Sequence, residues 1–220
     1  MCEHASNHIP AEYQSLGLTD ADLDRHIAFD LGAAQLTRSL SELLDAPAFL
    51  GTYSRLLIDL NRPLAAPSSI PLRSEDTDIP GNVDLRPEEV ERRATMMFAP
   101  FHARVAAHLD RRQLERRPTR LVTIHSFTPM FLGIKRPWHA GVLFDRANSF
   151  GSAIIDRLRV PDLIVDANVP YKTDRTEDYA IPIHGDDRGI PAILIEIRND
   201  LLVSTAGIDD WARNIGGSLG

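Results

Sequence analysis

The chain has one cysteine, Cys2, which excludes an internal disulfide and any zinc site built from several cysteines; a metal here has to be held by His, Asp or Glu. It also lacks a run of about 18 apolar residues, and no basic segment followed by an apolar stretch opens the sequence, so neither a membrane span nor a secretory signal is expected. The expected compartment is the cytoplasm. There is no G-x-S-x-G elbow, phosphate-binding P-loop, dinucleotide fingerprint or H-E-x-x-H helix, which removes the usual support for a serine hydrolase, a kinase, a dehydrogenase or a zincin. Positive charge is in deficit as well. The formal net charge of −7 disfavours a nucleic-acid partner. The main basic cluster, Arg111 to Arg120, falls at a helix end, where cations complement the helix dipole.

What remains is 220 residues with 43% hydrophobic content, enough for one sizeable core and short for two, so a single domain over residues 1–220 is expected. Thr19 is a helix cap, and Leu23, Ile27, Leu31, Ala34, Leu36, Leu40 and Leu44 recur near helical spacing, predicting one long helix over residues 20–45. Residues 48–50 and 54–60 read as short strands separated by Gly51. Residues 63–82 contain four prolines and read as a long irregular loop, the kind that is usually functional or mobile. Pro87 suits a first helical turn, and an apolar stripe from Val90 to Leu109 predicts a second long helix to Arg117. Further strands are expected at 121–124, 141–144, 163–165 and 190–197, with helices at 149–158 and around Trp211. Strands alternating with long helices predict a three-layer α/β/α domain with a mixed, largely parallel sheet.

Four polar clusters stand at predicted strand ends, where open α/β sheets build their sites. Residues 2–10 (CEHASNHIP) pack ionisable groups ahead of a turn. Residues 54–63 (SRLLIDLNRP) deliver Asn61 and Arg62 to the start of the long loop, where Arg offers a planar fork for a carboxylate and Asn a neutral donor; the plainer reading pairs an arginine with Asp59. Residues 123–128 (TIHSFT) place His125 at the end of a buried strand, and residues 195–200 (IEIRND) place Glu196 inside an apolar one. A buried, unpaired carboxylate needs a cation, a metal or a proton. Metal-assisted hydrolysis would employ all of these groups.

These segments, together with DRHIAFDLGA at residues 24–33 and IPGN at residues 79–82, occur in the order seen in the N-formylglutamate amidohydrolase family, which the chain resembles over residues 2–202. The resemblance implies a fold similar to zinc carboxypeptidases and aspartoacylases, and a zinc ion held by His4, His125 and a third ligand. Three residues past His4 stands Asn7, a poor ligand; Asp24 and His26, an Asp-x-His pair also found in the family, are the candidates for the third position. Glu3 stands where characterised members tend to have proline, so the acyl group need not be formyl. The apolar strand expected to lead into the first motif is not in the sequence, which predicts either a start further upstream or a stub of a first strand.

The resemblance further implies that Glu196 is the general base and proton donor. Arg62 with Asn61 would bind the substrate α-carboxylate, and Arg55, Arg136 or Arg198 would meet a second one. His184 and residues 168–171 belong to later loops expected to line the pocket, with Tyr171 as a donor to a developing oxyanion. His8, His102, His108 and His139 read as surface or packing residues. The expected function is hydrolysis of a small-molecule N-acyl amino acid such as N-formyl-L-glutamate. The alternatives are a ligand-binding module of the same fold without metal chemistry, and an amidase acting on a peptide or peptidoglycan.

Overall fold

The computed structural model describes residues 1–219. Six α-helices are formed among them: α1 (Asp20–Leu23), α2 (Ala33–Leu43), α3 (Pro87–Arg93), α4 (Ala99–Leu114), α5 (Asn148–Leu158) and α6 (Thr205–Leu219). Two-residue hairpins are made by β1 (Arg73–Ser74) with β2 (Thr77–Asp78) and by β4 (Met130–Phe131) with β5 (Ile134–Lys135). The central sheet contains β3 (Leu121–Phe127), β6 (Ala140–Leu143), β7 (Val165–Ala167) and β8 (Ala192–Arg198), in the order β3-β8-β6-β7. The β3–β8 and β6–β7 pairs are parallel and β6–β8 is antiparallel, giving the mixed, largely parallel sheet expected. Among the described residues no helix is long and apolar enough to cross a membrane.

Side chains on the strands alternate between two cores, as the period of a strand requires. Ile193, Ile195 and Ile197 of β8 pack with residues of α2, α5 and α6 such as Leu36, Ile154 and Ile215. Ala192 and Leu194 face the other way, toward Val105 and Leu109 of α4 and Ile181 of the π turn at Ala180–Gly185 that precedes β8. Glu196 continues this second face, and its register partner on β3 is His125. A third cluster, with Ile27, Leu56, Ile58, Ile79 and Phe98, supports the loops that cover this end of the sheet.

Three expectations from periodicity are corrected. The helix predicted over 20–45 is split, because α1 stops at Leu23 and α2 begins at Ala33. Between them the main chain finds partners elsewhere: the Asp30 amide donates to the His4 carbonyl at 2.9 Å, and the Ala28 carbonyl accepts from Ser54 Oγ at 2.8 Å and from the Arg55 amide at 3.2 Å. Gly32, at φ +79, restarts the helix; a Cβ there would lie 2.4 Å from the Leu202 Cβ.

The strand predicted at 54–60 is a series of turns. Side chains take the place of a ladder: Arg93, 1% exposed, donates to the Leu57 carbonyl at 3.0 Å, and Asn82 donates to the Leu56 carbonyl at 2.8 Å. The segment around Leu50 contributes a single parallel bridge to Cys2.

The helix from Pro87 does run on through α4, but by way of a π turn at Ala94–Phe98. Pro100 explains it, since its ring has no N–H and in a straight α-helix would press on the Met96 carbonyl; widening the turn relieves the clash. The loop over 63–82 is irregular as expected, apart from short 3-10 turns and the β1–β2 hairpin.

Candidate metal and substrate site

The second face of the sheet ends in a cavity of about 400 Å³ lined by His4, Asp30, His125 and Glu196, with Arg55, Asn61, Arg62, Arg136 and Tyr171 around them. His125 comes from the end of β3. His4 is set beside it by the peptide that begins at Cys2, which Gly51 approaches so closely that a Cβ at that glycine would lie 2.0 Å from the Glu3 carbonyl oxygen. The two imidazole rings meet edge to face with centroids 4.7 Å apart.

Both rings present Nδ1 to the same carboxylate oxygen. Asp30 Oδ2 lies 2.8 Å from His125 Nδ1 and 3.4 Å from His4 Nδ1. Each Nε2 in turn faces its own carboxylate: His4 lies 2.7 Å from Asp59 Oδ1, and His125 lies 3.0 Å from Glu3 Oε2. With a carboxylate to hold a proton on each Nε2, a metal on the other side of the rings would be bound through Nδ1, the arrangement by which proteins orient metal-binding histidines. Ligand atoms of His4, Asp30 and His125 all lie within 4.8 Å of one another, so this buried group could hold a metal ion.

The charges are tightly interlocked. Burial alone would push the Asp30 carboxyl up, but His4 and His125 hold it well below the usual carboxylate range. Asp59 is likewise opposed by burial and held down by His4 and Arg55, whose Nη2 donates to its Oδ2 at 2.8 Å. Glu3 is kept at about 2 against burial by its bond to His125, with a further hydrogen bond from Thr123 Oγ1. His125 is raised well above the ordinary imidazole value because Asp30 and Glu3 outweigh its burial. Glu196 differs from the other carboxyls: burial pushes it up to about 7, the opposing pull of His125 being too weak to prevent it.

Two of these buried oxygens, Glu3 Oε1 and Glu196 Oε2, have no hydrogen-bond partner among the described residues. Four carboxyl groups surround two histidines and one arginine here, a donor set rich in negative charge, and a divalent cation fits it.

The structure therefore brings together His4, His125, Glu196, Arg55, Asn61, Arg62, Arg136 and Tyr171 around one cavity. The third position beside the two histidines is taken by Asp30, not by Asp24 or His26. Asp24 is exposed, with Asn7 Nδ2 at 3.5 Å, and His26 stands on the cavity wall with its Nε2 3.1 Å from Glu75. Asp30 belongs to the AFDLG stretch within the motif at residues 24–33, and a carboxylate inside an apolar run was the signal that could have found it.

Arg198 lies outside the cavity lining and donates to Asp200 at 2.8 Å. Asn61 reaches the cavity wall, yet its Oδ1 is engaged by the amides of Ala180 at 2.9 Å and Tyr179 at 3.3 Å. Glu3 lies against His125, with Oε2 3.0 Å from its Nε2. His184 does not line the cavity; it pairs with His102 of α4, Nε2 to Nδ1 at 2.9 Å.

The family model described as N-formylglutamate amidohydrolase matches residues 1–203. A gene product of Agrobacterium tumefaciens, whose crystal structure is known, is 36% identical and superposes with a TM-score of 0.92 over 99% of this chain and 88% of its own. The N-formylglutamate amidohydrolase of Ralstonia eutropha JMP134, 17% identical, shares the fold with a TM-score of 0.67 over 99% of this chain and 89% of its own. No curated protein matches.

Proposed function

The chain belongs to the N-formylglutamate amidohydrolase family, and on that premise we propose that it is a zinc-dependent hydrolase of N-acyl amino acids. N-formyl-L-glutamate is the member of that substrate class named by the family, and its hydrolysis yields formate and glutamate. The observation that carries the reading is the convergence of His4 Nδ1 and His125 Nδ1 on Asp30, with the unpartnered Glu196 across the register from His125.

Two nitrogens and a carboxylate oxygen are the ligand types of catalytic zinc sites, and His4, Asp30 and His125 would hold the ion. When bound there, zinc would supply Lewis acidity, lowering the pKa of a water and polarising the amide carbonyl. Glu196 has a free buried oxygen with which to accept the water's proton and pass it to the leaving amine nitrogen. The Tyr171 hydroxyl accepts from Arg136 Nη2 at 2.8 Å, which leaves its own proton to donate to the oxyanion that develops on the carbonyl. Asp59 and Glu3 keep the two imidazoles oriented. Arg55, Arg62 and Arg136 give the cavity positive charge for a carboxylate-bearing substrate of small size, and the loop over 63–82 forms part of its wall through Ser74 and Glu75.

The test is formate release from a panel of N-formyl amino acids by zinc-loaded enzyme and by Glu196→Gln. Wild type is expected to release formate and the variant to lose at least ~10²-fold in kcat. No formate from any member of the panel, or full activity in the variant, would contradict the proposal.

A further inference from the structure

The three arginines of the cavity differ in what they already hold. Arg55 is neutralised by Asp59, with Nη2 at 2.8 Å, and by Asp30, with Nη1 at 3.4 Å. Arg62 is surrounded by anions: Asp178 at 3.6 Å, Glu177 at 3.8 Å and Asp59 at 3.9 Å, and it also donates to the Glu177 carbonyl. A second anion brought to Arg62 would meet three carboxylates around one guanidinium. His26, on the same wall, lies against Glu75 at 3.1 Å, and Lys172 is exposed, so that water meets its charge.

Arg136 is the exception. It is 9% exposed, yet among the described residues no carboxylate lies within 4.0 Å of it and its only side-chain hydrogen bond runs from Nη2 to Tyr171. Its guanidinium packs over the rings of Phe131 at 4.5 Å and Tyr171 at 4.9 Å. Such contacts offset part of the cost of burying a charge. They leave Nε, Nη1 and one N–H of Nη2 without partners among the described residues, so an edge of the guanidinium that pairs Nη2 with a neighbouring nitrogen can still grip a carboxylate with two parallel bonds.

The backbone places this fork deliberately. The Arg136 amide closes the β4–β5 hairpin on the Pro129 carbonyl at 2.9 Å, and the side chain also lies over Phe127, at 5.8 Å. Phe127 is two residues beyond His125 on β3, so the two share a face of the sheet, ~7 Å apart.

We propose that Arg136, and not Arg62, receives the substrate carboxylate, and that the substrates of this chain carry that carboxylate alone: N-acyl amino acids with an uncharged side chain. A second carboxylate, as in a glutamate derivative, would find no free buried cation and would face Glu75, Glu177 and Asp178 at the rest of the wall. The inference rests on the hydrolase reading for its chemistry, while its selectivity can be measured by binding alone.

N-formyl-L-glutamine and N-formyl-L-glutamate are nearly isosteric and differ by one charge. The experiment compares their kcat/KM on zinc-loaded enzyme, and their calorimetric Kd on zinc-loaded Glu196→Gln with and without Arg136→Met or Arg136→Lys. The glutamine compound is expected to be favoured by about tenfold or more in both assays. Arg136→Met should weaken its binding by ~30-fold or more, and Arg136→Lys by less, since Lys keeps the charge but loses the fork. Should Arg136→Met fail to fold, the Lys variant carries the test alone. Equal or better use of the glutamate compound, or binding indifferent to Arg136, overturns the inference while formate release leaves the hydrolase reading standing. Selective, Arg136-dependent binding without any hydrolysis would support the inference and reject the hydrolase chemistry; absence of both binding and hydrolysis rejects the two together.

Discussion

Asp59 illustrates how much the site depends on single side chains. Its Oδ1 takes His4 Nε2 at 2.7 Å and the Asn61 amide at 2.9 Å, and its Oδ2 takes Arg55 at 2.8 Å. Replacing it by Asn keeps the shape but removes the charge that fixes the His4 tautomer, so Asp59→Asn is expected to fold normally and to bind zinc ~10–100-fold more weakly. Competition with a chelator of known affinity measures this, and an unchanged zinc affinity would remove Asp59 from the role. At this scale the sequence was informative wherever an ionisable residue interrupts an apolar strand, as at His125 and Glu196. Asp30 escaped because the apolar spacing from Leu23 to Leu44 suggested an unbroken helix, on which Asp24 and His26 looked equally well placed. Only the tertiary partners of the Ala28 carbonyl and the Asp30 amide reveal that the helix opens there and turns the carboxylate inward.

Among elements, α4 and the π turn at Ala180–Gly185 are joined behind the site by a buried histidine pair. His102 Nε2 meets the Leu60 carbonyl at 2.8 Å, its Nδ1 meets His184 Nε2 at 2.9 Å, and His184 Nδ1 has no partner among the described residues. The carbonyl it holds immediately precedes Asn61 and Arg62. Burial holds both imidazoles down at about 4, with their mutual repulsion adding to the effect for His102. Because these folded values lie below the ordinary 6.5, the stabilisation from the neutral pair is complete above that pH and is lost as pH falls from 6.5 toward 4. The expected loss is on the order of 3 kcal/mol for each ring, measurable as chemical denaturation across this window. An NMR titration placing either ring near 6.5 in the folded protein would contradict it. The sequence marked His102 as a packing residue, but its partner comes from a distant loop that no local pattern links to α4. Strands β3, β6 and β8 and helices α4 and α5 were legible from their periodicity. The turns over 54–60 were not, because their carbonyls are satisfied by Arg93 and Asn82 from elsewhere in the chain.

The whole molecule is a sheet closed at one end by loops, and the proposed metal group spans the junction. His125 and Glu196 belong to the sheet, whereas His4, Asp30 and Asp59 come from the segments that pack with the Ile27, Leu56 and Phe98 cluster. An ion held by both parts would bind the folded state only, and would stabilise it by mass action. The most direct test is metal content by elemental analysis after zinc loading and gel filtration, for wild type, Asp30→Ala and the double variant Asp24→Ala/His26→Ala. Wild type and the double variant are expected to retain about one ion per chain and Asp30→Ala to retain essentially none. Zinc held by Asp30→Ala but lost from the double variant would contradict the assignment of Asp30 and, with it, the account of the site.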